Sequence, residues 1–317
     1  MYEGIQGMPA VSYLVSSYNK APYIESVIVS ILKEWATTGG EIIVIDDGST
    51  DDSMQILSKL QKRSPQIQVV SQKNQGVFST TWSLIGQASC EWIRLVDSDD
   101  PIIEGSTLTL FRASKATGAD YIYGRMLDYT PDDTLAGDVL NQVTNPKSWR
   151  ITDPLRYLLI SFNHVPSATL FRRQAVAFDF SWPPDLISCQ DLALALPIFQ
   201  SRTVAFVDIL VCRRLVGVKN RLSYNEALTR HQTICIIQAF GREQFTPKLK
   251  KLALYKLTSR SARWARRNGK WGLFATLGLR KLMIQMGLAL NWDEGLNAAA
   301  RVFEPAVAHV IALRRPY

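Results

Sequence analysis

Short apolar runs alternate with helix-like stretches in the first part of this chain, and this alternation constrains its fold more than any other feature. The runs Ile-Ile-Val-Ile (42–45) and Ile-Arg-Leu-Val (93–96) are nearly all apolar, as expected of strands covered on both faces. Strands that alternate with helices form βαβ units, so we predict an α/β fold with a mostly parallel, Rossmann-like sheet and flanking helices. Strands are predicted at 11–16, 42–45, 67–70, 92–96 and 120–123, and helices at 22–35, 51–62, 78–87 and 104–117.

The pattern weakens after residue 123. Residues 124–165 contain several prolines and are predicted to be irregular, whereas 168–171 is predicted as a strand and 191–199 as a helix. From residue 226 onwards the chain is helical in pattern and basic. We therefore predict an α/β domain over residues 1–225 and a basic helical C-terminal region over residues 226–317.

Composition favours a folded protein in a reducing compartment. Apolar residues make up 47% of the 317 residues and charged residues 20%, which is typical of globular proteins. The four cysteines are far apart and lack metal-binding spacing, so we expect neutral, unpaired thiols. No secretory leader and no charge-free stretch of about 18 residues are present, which predicts a cytoplasmic protein, either free or peripheral on the inner face of a membrane.

Polar clusters follow three of the predicted strands. They are Ser-Ser-Tyr-Asn (16–19), Asp-Asp-Gly-Ser (46–49) and Asp-Ser-Asp-Asp (97–100). In open parallel sheets, ligands bind beyond the carboxyl ends of the strands, so these clusters mark a candidate site.

The acidic cluster at 97–100 has two interpretations. Three carboxylates in four residues repel one another unless a cation lies between them, and their hard oxygen atoms suit Mg²⁺ or Mn²⁺ bridging to a phosphate. Alternatively, the cluster is a solvated turn before the helix predicted at 104. The other clusters are equally open: Asp47 would accept hydrogen bonds from a ligand or form an ordinary turn, and Tyr18 would stack on a base or pack in the core.

In combination, these clusters resemble the family-2 glycosyltransferases of the GT-A fold. The resemblance is strong over about residues 10–123 and weaker over 165–225. It is carried by Val-Ser-Ser-Tyr-Asn-Lys-Ala-Pro-Tyr-Ile (15–24), Ile-Ile-Val-Ile-Asp-Asp-Gly-Ser-Thr-Asp (42–51), Asn-Gln-Gly-Val (74–77) and Leu-Val-Asp-Ser-Asp-Asp (95–100).

The resemblance implies a function and a set of site residues. The function is transfer of a sugar from a nucleotide-diphosphate donor, with a UDP-sugar favoured, to a hydroxyl of a glycan or lipid-linked glycan in a bacterial envelope or surface pathway. The segment 97–100 corresponds to the family's DxD motif, with Asp99 and Asp100 as ligands of Mn²⁺ or Mg²⁺. The donor-binding residues implied are Ser17, Tyr18, Asn19, Asp47, Asn74, Gly76, Asp97 and Ser98.

The segment Ile-Ser-Cys-Gln-Asp-Leu-Ala-Leu (187–194) resembles the family's Glu-Asp motif, which makes Asp191 the implied general base of an inverting reaction. A helix-terminal carboxylate is the plainer interpretation. Two positions depart from the family pattern: Gln190 replaces the usual Glu, and Thr81-Trp82 stands where Arg-Asn is common. The resemblance therefore does not determine which residues contact the donor near Thr81-Trp82 or how the acceptor is positioned near Gln190.

Basic residues are concentrated near the C-terminus. Residues 248–281 hold eleven Lys and Arg, and no acidic residue lies between Glu243 and Asp293. This composition predicts that residues 244–292 contact an anionic membrane surface, or else pack as a helical subdomain. The apolar residues of the prediction are Leu254, Leu257, Trp264 and Ala265, followed by Trp271, Leu273, Phe274, Leu277 and Leu279. A basic loop with Arg213, Arg214, Lys219 and Arg221 would close over the diphosphate or remain solvated.

Three other functions are weighed against glycosyl transfer. A sugar nucleotidyltransferase would carry a glycine-rich phosphate loop after the first strand, where this chain has Ser-Tyr-Asn-Lys-Ala-Pro. A non-catalytic sugar-binding or nucleotide-binding homologue would have lost its acidic motifs. Nucleic-acid binding is not predicted, because the basic region matches no recognised module.

Overall fold

The computed structural model describes residues 8–133, 146–161, 165–177, 180–218, 225–288 and 291–314. The chain divides into two compact units. The first unit comprises 1–154, 163–178 and 197–219, and the second comprises 155–162, 179–196 and 220–317. The functional division predicted at residue 225 stays a prediction.

A mixed, mostly parallel sheet forms the centre of the first unit, as the alternating pattern predicts. Its strand order is β3-β2-β1-β4-β7-β5-β8-β6. Strands β1 to β4 are parallel to one another, β5 and β8 are parallel, and β7 and β6 run antiparallel to their neighbours. The strands are β1 (Val11–Ser17), β2 (Gly40–Asp46), β3 (Ile67–Ser71), β4 (Trp92–Asp97), β5 (Tyr121–Tyr129), β6 (Ser148–Arg150), β7 (Thr169–Arg172) and β8 (Val204–Leu215).

Helices cover the sheet because its central strands are apolar on both faces. All seven residues of β2 are buried, and α1 turns Ile24, Val27, Ile28 and Ile31 into the core. The first unit contains the helices α1 (Ile24–Thr38), α2 (Ser53–Arg63), α3 (Gly76–Gln87) and α4 (Ser106–Thr117).

Glycine is required where β2 begins beside β1. Gly40 has a φ of 97°, and a Cβ atom there would lie 2.2 Å from the carbonyl oxygen of Val11. An L-residue would therefore be strained and would clash with the neighbouring backbone. This close approach sets the register in which Ser17 lies opposite Asp46, and on the other side of β1 Ser16 lies opposite Asp97.

The second unit is helical in its described residues. Its two longest helices begin at side-chain caps: Asn225 accepts a hydrogen bond from the backbone N–H of Leu228, and Thr246 accepts one from that of Leu249. The helices are α5 (Pro154–Ser161), α6 (Gln190–Ser201), α7 (Glu226–Gln244), α8 (Pro247–Arg267), α9 (Trp271–Gln285), α10 (Trp292–Ala300) and α11 (Glu304–Arg314), and the last residues of α6 belong to the first unit.

Several local predictions are wrong. The region 124–165 is not wholly irregular, because β5 continues to Tyr129 and both β6 and α5 lie within it. Strand β8 was not predicted, and Arg213 and Arg214 lie in this strand, not in a loop. The helix predicted from residue 51 begins two residues later, at Ser53, whose backbone N–H donates to the carboxylate of Asp51. Lys219, Arg221 and His164 lie outside the described residues.

The apolar residues expected to form a surface on α8 are instead part of the core of the second unit. The side chains of Leu254, Leu257, Trp264 and Ala265 are all buried. In the described part of the chain, no helix is both long enough and apolar enough to cross a membrane.

The four cysteines are free thiols, as the sequence indicated. Cys90 and Cys212 are buried, whereas Cys189 and Cys235 are half-buried. Burial raises the pKa of all four thiols, to about 12 for Cys189 and about 11 for Cys235.

Candidate active site

The loops after β1 and β2 are held together by hydrogen bonds at the carboxyl edge of the sheet. The backbone N–H of Asn19 donates to Oγ of Ser49 at 2.9 Å, and Oδ1 of Asn19 accepts from the backbone N–H of Thr50 at 2.8 Å. The backbone N–H of Lys20 donates to Oγ of Ser53 at 2.8 Å. Asn19 adopts a φ of 54°, which asparagine tolerates better than most residues. Asn19 therefore orders this edge.

Asp47 is buried and bonded to the start of α3. Its carboxylate accepts the backbone N–H groups of Gln75 and Gly76, each at 2.8 Å, and the side-chain amide of Gln72 at 2.8 Å. A carboxylate at a helix N-terminus is stabilised by the helix dipole. Asn74 also accepts the N–H of Gly76, at 3.1 Å. Asp47, Asn74 and Gly76, predicted as donor-binding residues, thus lie in one hydrogen-bonded cluster.

The other predicted donor-binding residues differ in exposure. Tyr18 is 39% exposed, so its ring is open to a ligand. Ser98 is buried, and so is Ser17, whose hydroxyl has no hydrogen-bond partner among the described residues. Asp97 is half-buried, and its backbone N–H donates to Oγ of Ser167 at 2.9 Å.

Asp99 and Asp100 are buried, but their partners differ. Asp99 accepts a 2.5 Å hydrogen bond from the ammonium group of Lys20. Asp100 accepts the backbone N–H of Leu215 at 3.0 Å through one oxygen and the hydroxyl of Ser167 at 3.4 Å through the other. Asp100 therefore connects β4 to β8, whereas the pairing of Asp99 with Lys20 shows that a positive charge is accommodated beside it.

The carboxylate oxygens at this edge of the sheet are ligands of the kind that a divalent cation binds. Within the described ranges, no group of three or more His, Cys, Asp or Glu side chains is arranged to hold a metal. Mg²⁺ commonly needs only one or two protein carboxylates, because water and substrate phosphates complete its shell. Asp97 and Asp99 supply carboxylates at the end of β4, so the residues fit a metal that arrives with a diphosphate.

A buried ion pair between Arg94 of β4 and Glu34 of α1 helps to hold β4 in place. Arg94 lies 3.6 Å from the carboxylate of Glu34 and donates to the carbonyl oxygen of Val211 at 2.9 Å. It also donates to Ser106 at 2.9 Å and to Thr107. These bonds connect β4 to α4 and β8, and so fix the strand that ends in the acidic cluster.

Asp191 lies in the first turn of α6, in the second unit. It is half-buried, and Oδ1 accepts the backbone N–H of Leu192 at 2.9 Å. Burial raises the pKa of its carboxyl group to about 6, although the bond from Leu192 opposes the shift. A carboxyl group with this pKa is ionised at neutral pH and basic enough to accept a proton, which fits a general base.

Gln232 of α7 organises the segment before Asp191. Its side-chain oxygen accepts the backbone N–H groups of Ile187 at 2.9 Å and Ser188 at 2.8 Å, while its amide nitrogen donates to the carbonyl oxygen of Asp185 at 2.8 Å. Cys189, next in the chain, has a φ of 61°. Gln232 was not among the predicted site residues, and its only signal in the sequence was an amide among apolar residues of one helix.

A small cleft in the second unit contains Leu192, the neighbour of Asp191. Its volume is about 10 Å³, roughly enough for one water molecule. Burial, followed by the charges of Arg230 and Arg263, lowers the pKa of Arg260 in its wall. The cleft is lined by Leu158, Leu159, Leu192, Thr233, Ile237, Ala253, Lys256, Leu257 and Arg260.

Sequence comparison identifies a known family in the first part of the chain. The sequence model of glycosyl transferase family 2 matches residues 12–178. The chain is 32% identical over 124 residues to glycosyltransferase GlyG of Streptococcus pneumoniae, an alignment that covers 39% of this chain and 41% of GlyG. The chain thus matches less than half the length of that relative.

Two solved structures share the fold. The S. aureus TarS fragment 1–349 in complex with UDP-GlcNAc has a TM-score of 0.64 and 17% identity, covering 96% of this chain and 83% of the fragment. The mannosyltransferase PcManGT from Pyrobaculum calidifontis, in complex with GDP-Man and Mn²⁺, has a TM-score of 0.60 and 14% identity, covering 96% of this chain and 87% of that one.

Proposed function

Because the chain belongs to glycosyl transferase family 2, we propose that it transfers a sugar from a nucleotide-diphosphate donor to an acceptor hydroxyl with inversion at the anomeric carbon. The observation that carries this proposal is the carboxyl edge of the sheet, where Asn19, Asp47 and the 97–100 segment lie at the ends of adjacent strands. A UDP-sugar is the favoured donor, supported by the UDP-GlcNAc complex of the similar TarS fragment.

The donor would bind at this edge through groups that are already ordered. The exposed ring of Tyr18 would stack on the base, and Asp47 and Asn74 would order the loop beside it. Ser17, Gly76, Asp97 and Ser98 would complete the contacts to the nucleotide and sugar. Because Asn19 already fixes the loop after β2, little further ordering is needed on binding.

A divalent cation, Mn²⁺ or Mg²⁺, would be held by Asp99, with Asp97 beside it. When bound, such an ion supplies positive charge against the leaving diphosphate. Asp100, assigned to the metal by the resemblance, would instead keep β4 and β8 in place, because both of its oxygens accept hydrogen bonds from the protein. The similar PcManGT, solved with GDP-Man and Mn²⁺, supports a metal in this fold.

Asp191 would act as the general base. Its ionised carboxylate would accept the proton of the acceptor hydroxyl as that oxygen bonds to the anomeric carbon and the bond to the diphosphate breaks. Attack from the face opposite the leaving group inverts the configuration. The raised pKa of Asp191 supports this role, because proton acceptance is most efficient when the pKa is near the working pH.

The acceptor would carry negative charge. Lys256 and Arg260 line the cleft that contains Leu192, the residue after the proposed base. Because this cleft holds only about one water molecule, the two cations would attract an anionic group of the acceptor through their charge and would not enclose it. A lipid-linked glycan or another bacterial surface glycan with phosphate or carboxylate groups has this chemistry. The free thiols are consistent with a reducing compartment.

The test is a donor screen with analysis of the products. Purified protein is incubated with UDP-, GDP- and dTDP-sugars in Mn²⁺ or Mg²⁺, and the nucleotide released is measured by chromatography. Release of a nucleoside diphosphate and inverted configuration by NMR are expected. Retained configuration would overturn the mechanism. Pyrophosphate formed from a nucleoside triphosphate would identify a nucleotidyltransferase, and donor binding without turnover would identify a non-catalytic homologue.

A further inference from the structure

Helix α9 exposes a continuous apolar stripe. Trp271, Ala275, Leu279 and Leu282 of α9 and Met286 at its C-cap are spaced by four, four, three and four residues, which places them within an arc of about 80° on one side of the helix. Trp271, Leu279 and Met286 are each at least 60% exposed, and Leu282 is 49% exposed. Isolated exposed apolar residues are common, but a contiguous row on one helix face indicates a binding surface.

On the opposite side of α9, Leu277 and Ile284 anchor the helix in the second unit, whereas Leu273 in its first turn is exposed. Leu277 and Ile284 are 2% and 4% exposed. Arg266 and Tyr255 of α8 contact the flanks of α9: the Arg266 guanidinium lies 6.0 Å from the ring centre of Phe274, and the ammonium group of Lys281 lies 5.2 Å from that of Tyr255. The stripe is therefore not the face that stabilises the fold.

The charge around the stripe is positive. No acidic residue occurs at 244–292, a range that contains both α8 and α9, and eleven Lys and Arg lie within 248–281. Arg266 and Lys270 lie near the start of α9. The ammonium group of Lys251 lies just beyond the end of α9, 4.0 Å from the position that a Cβ atom would occupy at Gly287. Of these cations, Arg267 forms an ion pair with Glu226.

The charge around the stripe favours a lipid surface over a second copy of the chain as its binding partner. Two copies that met through this stripe would bring together two helical pairs that lack acidic residues, and the like charges would repel. An anionic bilayer offers the opposite charge together with an apolar interior. A helix of about 22 Å, with an apolar stripe and basic flanks, matches peripheral helices that lie in the plane of the headgroups.

We propose that α9 is a membrane-docking helix. It lies in the interface of an anionic bilayer, with the stripe from Trp271 to Met286 among the upper acyl chains and the basic side chains at the headgroup phosphates. Long basic side chains place their charged ends in water while their stems cover apolar surface, which suits them to this position. The surface lies outside the proposed donor site, and the inference does not rest on glycosyl transfer.

The experiment is flotation of the full chain with lipid vesicles. Vesicles of phosphatidylcholine alone are compared with vesicles that also contain phosphatidylglycerol, at low and high salt. Binding is expected with phosphatidylglycerol and should weaken as salt screens the basic residues. The double variant Leu279→Glu/Leu282→Glu should bind about tenfold more weakly, because it places two carboxylates in the stripe.

The control is Leu273→Glu, which places one carboxylate on the other side of α9 and is compared with the single stripe variant Leu279→Glu as well as with the double variant. Leu273 is 41% exposed and lies about 160° from the middle of the stripe. This variant should float like the parent protein, and thermal melts of all the proteins establish that they are folded. Equal flotation of the stripe variant, or no flotation of the parent with phosphatidylglycerol at low salt, overturns the proposal. A dimer in vesicle-free solution that the stripe variant converts to a monomer would also overturn it, by identifying the stripe as an interface between copies.

Discussion

The ammonium group of Lys20 lies 2.5 Å from Oδ2 of Asp99, between residues that are 79 positions apart in the chain. Lys20 follows β1 and Asp99 follows β4, so the bond crosses the carboxyl edge of the sheet. Asp99 is buried, and a buried carboxylate requires a positive partner or strong hydrogen bonds. The ammonium group of Lys20 thus balances the negative charge of Asp99 when no substrate is bound. A divalent cation bound with the sugar donor would add to the positive charge of Lys20 or replace it.

Asp99→Asn should weaken donor binding and turnover together. The amide keeps the shape of the side chain but removes the charge that would attract a divalent cation. We expect EDTA to abolish transfer by the parent protein and Mn²⁺ or Mg²⁺ to restore it, as measured by nucleotide release. The control is Glu104→Gln, which removes a carboxylate from an exposed pair with Lys33 and should leave activity unchanged. Full activity in EDTA contradicts a metal-dependent reaction.

Asp191→Asn should reduce turnover by roughly 10²-fold or more, the usual scale for loss of a general base. Donor affinity, measured by calorimetry, should be unchanged. With a pKa of about 6, the parent's rate should decline as pH falls below that value, because the base becomes protonated. The variant should lack this decline. Asp208→Asn, which removes an exposed partner of Arg125, is the control. Lost donor affinity would assign Asp191 to donor binding instead.

Gln232→Ala should lower turnover through the segment that precedes the proposed base. Loss of the side chain leaves the N–H groups of Ile187 and Ser188 without their acceptor, which costs about 1–3 kcal/mol in the free energy of unfolding. Donor KM should not change, and Gln232→Glu, which keeps an acceptor oxygen, should recover part of the rate. Gln238→Ala removes an amide of the same helix that bonds to Asp293, and it should leave turnover intact. Equal rate losses in both variants would indicate general damage to α7.

Arg260→Gln should raise the acceptor KM of anionic acceptors and leave the KM of the donor unchanged. The side chain lines the cleft beside Leu192, so the lost charge removes an attraction for a phosphate or carboxylate. Initial rates are measured with matched acceptors that carry or lack the charged group. The exposed Arg263 provides the control, Arg263→Gln. If the KM values of charged and neutral acceptors change equally, Arg260 does not interact with the charged group of the acceptor.

Arg94→Met should destabilise the first unit by about 3–5 kcal/mol, because it leaves the buried Glu34 without its cation. Urea denaturation measures this loss. Adding Glu34→Gln should restore part of the stability, since the second change removes the uncompensated charge. No loss of stability in Arg94→Met would show that the ion pair does not hold β4 in place.

The sequence was sufficient for the parallel half of the sheet because its strands are apolar on both faces and end in polar clusters. Strand β8 escaped prediction for the opposite reason. Asp208 and Arg214 interrupt its apolar pattern, and the structure shows that they point outward to form ion pairs with Arg125 and Asp128. Charged residues in such positions are typical of loops, and the sequence does not show which residues of the neighbouring strand will pair with them.

The same contrast applies to the site. Asp47 and Asp99 could be predicted, since the carboxyl ends of neighbouring parallel strands meet at one edge. Their bonds to Gly76 and Lys20 could not, because these depend on how the loops pack. Gln232 gave no usable signal, as its contact with Ile187 joins residues that are distant in sequence.

The shielded thiols make this protein suited to site-directed labelling. Because all four native cysteines are at least half-buried and carry a raised pKa, maleimides and nitroxide reagents should react with them slowly at neutral pH. A single cysteine introduced at Leu279 would therefore take up the label selectively without removal of the native ones. Power-saturation spectroscopy of that nitroxide would then report, in ångströms, how deep the probe sits below the lipid phosphates.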